Sequence, residues 1–203
     1  MPYYPDLNIL FIHIPKTGGR YIENELQKFT APTLISGSRN NLLPPPFKWK
    51  PLQHQFYTTI YKYRDICKIN FDNIKIFSIV RNPYDRIISH LFFFKVINKN
   101  DTSDYVSKII EKHIKENRDN HTAPQYKFLV DENENLIDNI KIFKTETLNQ
   151  DNEIINKYFD FNIAINSDKN LNKNYFKYLN NDSISIINKY YEKDFYLFNY
   201  EMK

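Results

Sequence analysis

Phe11-Ile12-His13-Ile14-Pro15-Lys16-Thr17-Gly18-Gly19-Arg20 is the stretch on which the fold turns. Ile9 to Ile14 is an apolar run of the kind that makes a strand buried on both faces of a parallel sheet. Pro15 ends it, because proline has no N–H to give to a sheet ladder. Tyr21 to Phe29 reads as a helix, with Ile22, Leu26 and Phe29 on one stripe. Lys16, Thr17, Gly18 and Gly19 lie between. Strand, glycine loop and helix together aim backbone N–H groups and a helix N-terminus at a bound anion. Lys16 adds a mobile charge and Thr17 a hydroxyl. The chain has three glycines, Gly18, Gly19 and Gly37, so a pair here marks a place where the backbone approaches something closely. An ordinary strand-to-helix turn accounts for one of these glycines. A phosphate or sulfate cradle accounts better for the lysine, the threonine and both glycines together. The order is not that of a Walker A loop, which closes on Gly-Lys-Ser/Thr. Here Lys-Thr precedes Gly-Gly.

Further along, the plan repeats. Ile74 to Val80 is a second buried run, followed by Arg81-Asn82-Pro83 and an apolar helix from Tyr84 to Ile97. Two strand–turn–helix units predict an α/β fold, a central parallel sheet flanked by helices, with ligands at the carboxyl ends of its strands. Arg81 stands at such an end and Ser89 lies on the helix that follows. A guanidinium and a hydroxyl placed there suit a second phosphate. The competing reading pairs Arg81 with Asp85 as a structural ion pair.

The remaining elements are read from periodicity. Ala31 to Ile35 is a short strand, and Ser36 to Lys50 a loop containing Pro44-Pro45-Pro46. Arg39, Lys48 and Lys50 in that loop either face an acidic substrate or are solvated charges. Gln53 to Lys68 is a helix with Phe56, Ile60, Tyr63 and Cys67 on its stripe. Ser103 to Asn117 is a helix capped by Asp101 or Thr102. Ile137 to Phe143 is a third strand, and Glu146–Phe159 and Asn174–Tyr178 are helical. A terminal helix, Ser183 to Asp194, is capped by Asp182 and buries Ile184, Ile187 and Tyr191. Phe195 to Tyr200 packs as an aromatic tail.

Composition narrows the classes. A chain of 203 residues buries one core and predicts one domain, residues 1–203. No stretch is long enough to span a membrane, and the start lacks a signal-peptide pattern, so a cytoplasmic or otherwise soluble protein is expected. The single cysteine, Cys67, excludes an internal disulfide and argues against a cysteine-built zinc site. The net charge of +4 is a mild bias towards anionic partners. The five histidines, His13, His54, His90, His113 and His121, show no metal-ligand spacing, so no metal is expected.

Two motifs carry a resemblance. Phe11 to Gly19 resembles the 5′-phosphosulfate loop of sulfotransferases, and Val80-Arg81-Asn82-Pro83-Tyr84-Asp85-Arg86-Ile87-Ile88-Ser89 resembles their 3′-phosphate motif. Both are similar to the membrane-type carbohydrate branch, which includes the heparan sulfate 2-O- and chondroitin 4-O-sulfotransferases. His121-Thr122-Ala123-Pro124-Gln125 resembles a turn of that branch, and Tyr190 to Tyr200 resembles its ending. The resemblance implies the P-loop-like sulfotransferase fold and the donor 3′-phosphoadenosine 5′-phosphosulfate (PAPS). It implies that Lys16, Thr17, Gly18 and Gly19 bind the 5′-phosphosulfate, and that Arg81 and Ser89 bind the 3′-phosphate. The branch has a small hydroxyl residue after the glycines, where this chain has Arg20 and Tyr21. Arg20 then either replaces a lost hydroxyl contact to the donor or points at an anionic acceptor. The implied partner is a hydroxyl-bearing acceptor, with a glycan favoured over protein tyrosine or a small alcohol, and residues 36–52 as a lid on its side. Nucleic acid is not expected.

Sulfuryl transfer resembles phosphoryl transfer: in line, loose, and governed by positioning and charge stabilisation. Lys16 would stabilise charge growing on the leaving phosphate. The acceptor hydroxyl needs a base, and His54, between the two motifs and near a helix start, is the candidate. A helix N-terminus would lower its pKa and keep it neutral. His13 and His113 are expected to pack, His90 to lie near the donor without chemistry, and His121 and Gln125 to line the acceptor side. Glu146 is left out of the catalytic set, because Lys144-Thr145 precede it instead of the branch's Arg/Phe pattern. A small-molecule kinase would want Gly-Lys-Ser/Thr and a magnesium-holding acid, and both are missing. A non-catalytic nucleotide- or glycan-binding domain of the same fold is the other alternative, kept open by Arg20-Tyr21.

Overall fold

Four strands form one sheet in the order β1-β2-β3-β4: β1 (Tyr3–Tyr4), β2 (Ile9–Ile12), β3 (Lys75–Val80) and β4 (Ile140–Lys144). The computed structural model describes residues 1–34, 44, 51–164 and 174–203. β2, β3 and β4 are parallel, with Phe11 opposite Phe77 and Val80 opposite Lys144. The helices are α1 (Arg20–Leu26), α2 (Tyr57–Lys62), α3 (Pro83–Phe93), α4 (Ser103–Glu116), α5 (Asn152–Phe159), α6 (Asn181–Tyr190) and α7 (Glu192–Leu197). This is the expected α/β architecture. The edge strand β1, antiparallel to β2, is an addition. Two tyrosines carry too little pattern to announce a strand.

Alternation along the strands explains the unbroken apolar runs. Leu10, Ile12, Ile76 and Val80 face a core shared with Leu52, Ile60 of α2 and Phe128. Ile9, Phe11, Phe77, Ile79 and Phe143 face the other side, against Ile22 and Leu26 of α1 and Ile155 and Phe159 of α5. A third cluster joins α3, α4, α6 and α7 through Ile87, Leu91, Val106, Ile110, Ile187 and Phe195. Both faces of the sheet are covered, so the open position is the carboxyl edge of β2, β3 and β4.

Several boundaries differ from the sequence reading. The predicted helix from Gln53 splits: Leu52–His54 is a 3₁₀ turn, Gln55 and Phe56 are extended, and only Tyr57–Lys62 is α-helical. The Asn120 Nδ2 donates to the His54 carbonyl at 2.8 Å, taking an acceptor that a continuous helix would use. Phe29 lies beyond the end of α1, half exposed, and packs on Phe161 with ring centroids 4.7 Å apart. Of Ala31–Ile35, the described part makes one isolated bridge, Thr33 to Tyr3. The third strand begins three residues late, at Ile140. The predicted helix from Glu146 is a 3₁₀ turn, Thr145–Thr147, followed by α5, and Asn174–Tyr178 reduces to a 3₁₀ turn at Phe176–Tyr178. The terminal helix breaks at Tyr191, whose hydroxyl donates to the Thr122 carbonyl at 2.8 Å. Its cap is Asn180, in a reciprocal capping box with Ser183, rather than Asp182. Of residues 36–52, the expected lid, only Pro44, Pro51 and Leu52 fall within the described residues.

Candidate active site

The loop between β2 and α1 is held open by backbone conformation. Lys16 and Gly18 both have positive φ, 69° and 80°. The N–H groups of Lys16, Thr17, Gly18 and Gly19 donate to no acceptor among the described residues. Such a nest of free donors is the backbone geometry of an anion site. Thr17 is fully buried and its hydroxyl donates back to the Ile14 carbonyl at 2.9 Å. Its side chain therefore braces the loop, and what it offers an anion is its N–H. The Thr145 hydroxyl sits between the Thr17 and Val80 carbonyls, at 2.6 and 3.0 Å, and ties the loop to the end of β3.

Gly19 is small for a reason inside the protein. A Cβ there would stand 2.4 Å from the Phe11 ring. That ring cannot give way, because it is stacked between Phe77 at 4.5 Å and His13 at 5.1 Å. Gly19→Ala is expected to cost about 1–3 kcal/mol of overpacking. A urea midpoint equal to the wild type would contradict this. The close approach that the sequence suggested is thus made, at Gly19, to a core ring.

At the end of β3, Arg81 has its backbone clasped by one side chain. Gln125 accepts from the Arg81 N–H at 2.9 Å and donates to its carbonyl at 2.8 Å. The N–H groups of Gln125 and Tyr126 donate in turn to the buried Asp194 carboxylate at 2.8 and 2.9 Å. Gln125 is fully buried, so it does not line the acceptor side as expected; it sets the strand end. The Arg81 Nη1 reaches the Lys16 carbonyl at 3.4 Å, while its Nε is buried with no partner among the described residues. The Tyr175 hydroxyl is within hydrogen-bonding reach of both Arg81 and Ser89. The Asn82 N–H donates to Glu146 at 2.8 Å, and the Tyr200 hydroxyl to the other Glu146 oxygen at 2.9 Å, which fixes the turn after Arg81.

Arg86 secures the same edge from below. Its guanidinium, buried, donates to the carbonyls of Pro15, Ala123 and His121 at 3.0, 2.9 and 3.0 Å. One cation on α3 thereby joins the first loop to the turn that carries His121.

Lys16, Arg20 and Arg81 form no salt bridge among the described residues. Burial, then the neighbouring charges of Arg81 and Arg20, lower the Lys16 pKa to about 8. Its ammonium rests 4.0 Å above the Phe93 ring. An uncompensated cation group beside free amides calls for a polyanion.

A cleft of about 470 Å³ opens in front of the loop, lined by Lys16, Gly18, Gly19 and Arg20 together with His13, Gln53, His54 and His121. His54 thus shares a cavity with the loop. Burial, then His121 and His13, lower its pKa to about 2. The cause is desolvation, not the helix dipole invoked from the sequence, since His54 belongs to the 3₁₀ turn ahead of α2. Its Nε2 is 3.1 Å from the Gln53 amide nitrogen, which makes that ring nitrogen the acceptor. His13 lines the same cleft and pairs with Glu23 at 2.7 Å. No group of three or more His, Cys, Asp or Glu among the described residues could hold a metal ion.

The sequence matches the Sulfotransferase family over residues 3–201. The chain belongs to the sulfotransferase family. Neither the curated proteins nor the solved structures gave a match. A sulfotransferase is a transferase acting on a hydroxyl-bearing acceptor. No helix among the described residues is long and apolar enough to cross a membrane. Sequence reasoning about this sulfotransferase missed Tyr175, Arg86 and Asp194. A buried charge on an amphipathic helix has the same spacing as a solvated one, and only Arg86 left a trace, as a cation among the apolar residues of α3.

Proposed function

We propose that this sulfotransferase draws on PAPS and sulfates a carbohydrate hydroxyl, with His54 as the base. One observation carries the reading: Lys16 and Arg81, from different strand ends, lie side by side and neither forms a salt bridge among the described residues, although Asp85 feels the Arg81 charge. A donor with phosphate at both ends fits this arrangement. The unpartnered Nε of Arg81, with Ser89 and Tyr175 beside it, suits the 3′-phosphate. The free amides of the 16–19 loop, with Lys16 and Arg20, suit the 5′-phosphosulfate.

In the reaction the sulfur–oxygen bond to the donor phosphate breaks as the acceptor oxygen bonds to sulfur. Lys16 and the loop amides stabilise the charge left on the phosphate oxygen. His54, kept neutral by burial, takes the proton late, as the acceptor oxygen bonds to sulfur and its proton becomes strongly acidic. The amide side chains of Asn24, Gln27 and Gln53 on the cleft wall are suited to sugar hydroxyls.

Labelled PAPS offered with a panel of polysaccharides tests the reading. Transfer to a glycan is expected, falling by ~10²-fold or more in His54→Ala while 3′-phosphoadenosine 5′-phosphate (PAP) still binds. Thermal stabilisation by ATP in preference to PAP would overturn it.

A further inference from the structure

All five histidines of the chain form one continuous array. They come from five separate places in the fold: the end of β2, the turn before α2, α3, α4 and the turn after α4. From the cleft inward, the His13 and His54 ring centroids are 6.0 Å apart, and those of His54 and His121 4.6 Å. His121 is 5.6 Å from His90, and His90 is 5.1 Å from His113. That last pair is hydrogen bonded, His90 Nε2 to His113 Nδ1, at 3.0 Å. His13, His54 and His121 all line the cleft; the array leaves it at His121 and ends on the half-buried His113 of α4. Phe93 and Phe94 pack against His121 and wall the path from solvent.

We propose that His121, His90 and His113 form a proton exit from His54 to the outer face of α4. The proposal rests on His54 being the base. An imidazole passes a proton by accepting at one nitrogen and releasing at the other, so each ring in a relay needs both nitrogens available. His54, His121 and His90 each keep a buried Nδ1 with no partner among the described residues. Leaving one such atom unsatisfied costs about 1–3 kcal/mol, and here three occur in adjacent rings. The ring-centroid spacings from His54 to His121 and from His121 to His90 bracket that of the hydrogen-bonded pair, so the three steps of the path are of like length.

The need for an exit follows from burial. His54 is only 6% exposed, and the cleft it lines is the one that the donor, present in every turnover, would occupy. Each turnover leaves one proton on His54, taken from the acceptor O–H as its oxygen bonds to sulfur. That proton moves to His121, then His90, then His113, and is released to water, restoring all rings to neutral. The titratable groups facing the path begin with the Met1 N-terminus, beside His54. Arg86, Lys16 and Arg118 face His121, and Arg86 and Lys16 face His90. Glu116 and Lys112 face His113, and His13, itself paired to Glu23, faces His54 and His121. A donor anion seated on Lys16 offsets one of the cations that keep His121 and His90 neutral, so proton affinity along the path rises when the site is loaded.

Hydrolysis of PAPS, with water as acceptor, tests the relay without a known glycan. The rate at saturating PAPS is measured across pH for the wild type, His54→Ala, His113→Ala and His113→Gln, with and without added imidazole, and PAP binding serves as the fold control. His113→Ala and His113→Gln are expected to slow hydrolysis about ten-fold, against ~10²-fold or more for His54→Ala. Both should keep the KM for PAPS and shift the pH profile, and His113→Ala should recover with imidazole. Wild-type rate and pH profile in both His113 variants, with His54→Ala impaired, would overturn the relay alone. An unimpaired His54→Ala would overturn the base assignment and the relay with it.

Discussion

Lys16→Ala is expected to lower the rate of sulfuryl transfer by ~10²–10³-fold at saturating donor, the loss typical of removing one group that stabilises developing anionic charge. The ammonium rests on Phe93 beside Arg81 and Arg20, so it is held close to where charge would grow. Half-burial of the site strengthens the effect, because a charge screened less by water acts over the same distance with more force. Lys16 contributes little to folding: it forms no ion pair among the described residues, and its positive φ of 69° is no harder for alanine to adopt than for lysine. The thermal midpoint should therefore stay near the wild-type value while turnover collapses. Turnover within a few-fold of wild type would mean that Lys16 is a surface cation.

Acid lability should be equally marked. Burial holds the folded pKa of His54 at about 2 and those of His90 and His121 at about 3. In the unfolded chain each would titrate near ~6.5. Below that pH the unfolded state takes up protons that the native state refuses, so stability is fully present above ~6.5 and falls as the solution is acidified. With the three histidines acting together the slope approaches ~4 kcal/mol per pH unit. At that slope a protein of ~5 kcal/mol stability should unfold near pH ~5 and one of ~10 kcal/mol near pH ~4. Urea midpoints measured from about pH 7.5 down to 5 check this. A flat profile would show that the array is hydrated and titrates normally.

The parts of this protein that were legible in its sequence are those with an unambiguous physical signature. β2 and β3 are covered on both faces, so apart from Lys75 and Ser78 their residues are apolar and the run stands out. The polar turns after them, with Lys16 and Arg81, follow directly. α2 was misjudged because Phe56, Ile60, Tyr63 and Cys67 do share a core, yet Phe56 reaches it from extended backbone. Periodicity records which residues are buried, not which dihedral angles bury them. The direction of the Thr17 hydroxyl and the burial of Gln125 depend on carbonyls from other segments and have no local sign. The histidine array is the extreme case. Its members are scattered from His13 to His121, and nothing in their spacing shows that the fold brings them into contact.

The central claim is that the two strand ends grip one donor, Arg81 holding the phosphate that separates it from ordinary adenine nucleotides. Calorimetric titration with PAP and with AMP, which differ only in the 3′-phosphate, tests it most directly. The wild type should bind PAP ~10–100-fold more tightly, the worth of one charged hydrogen-bonded contact, and Arg81→Ala should bind the two alike. Equal affinity of the wild-type protein for PAP and AMP would contradict the account.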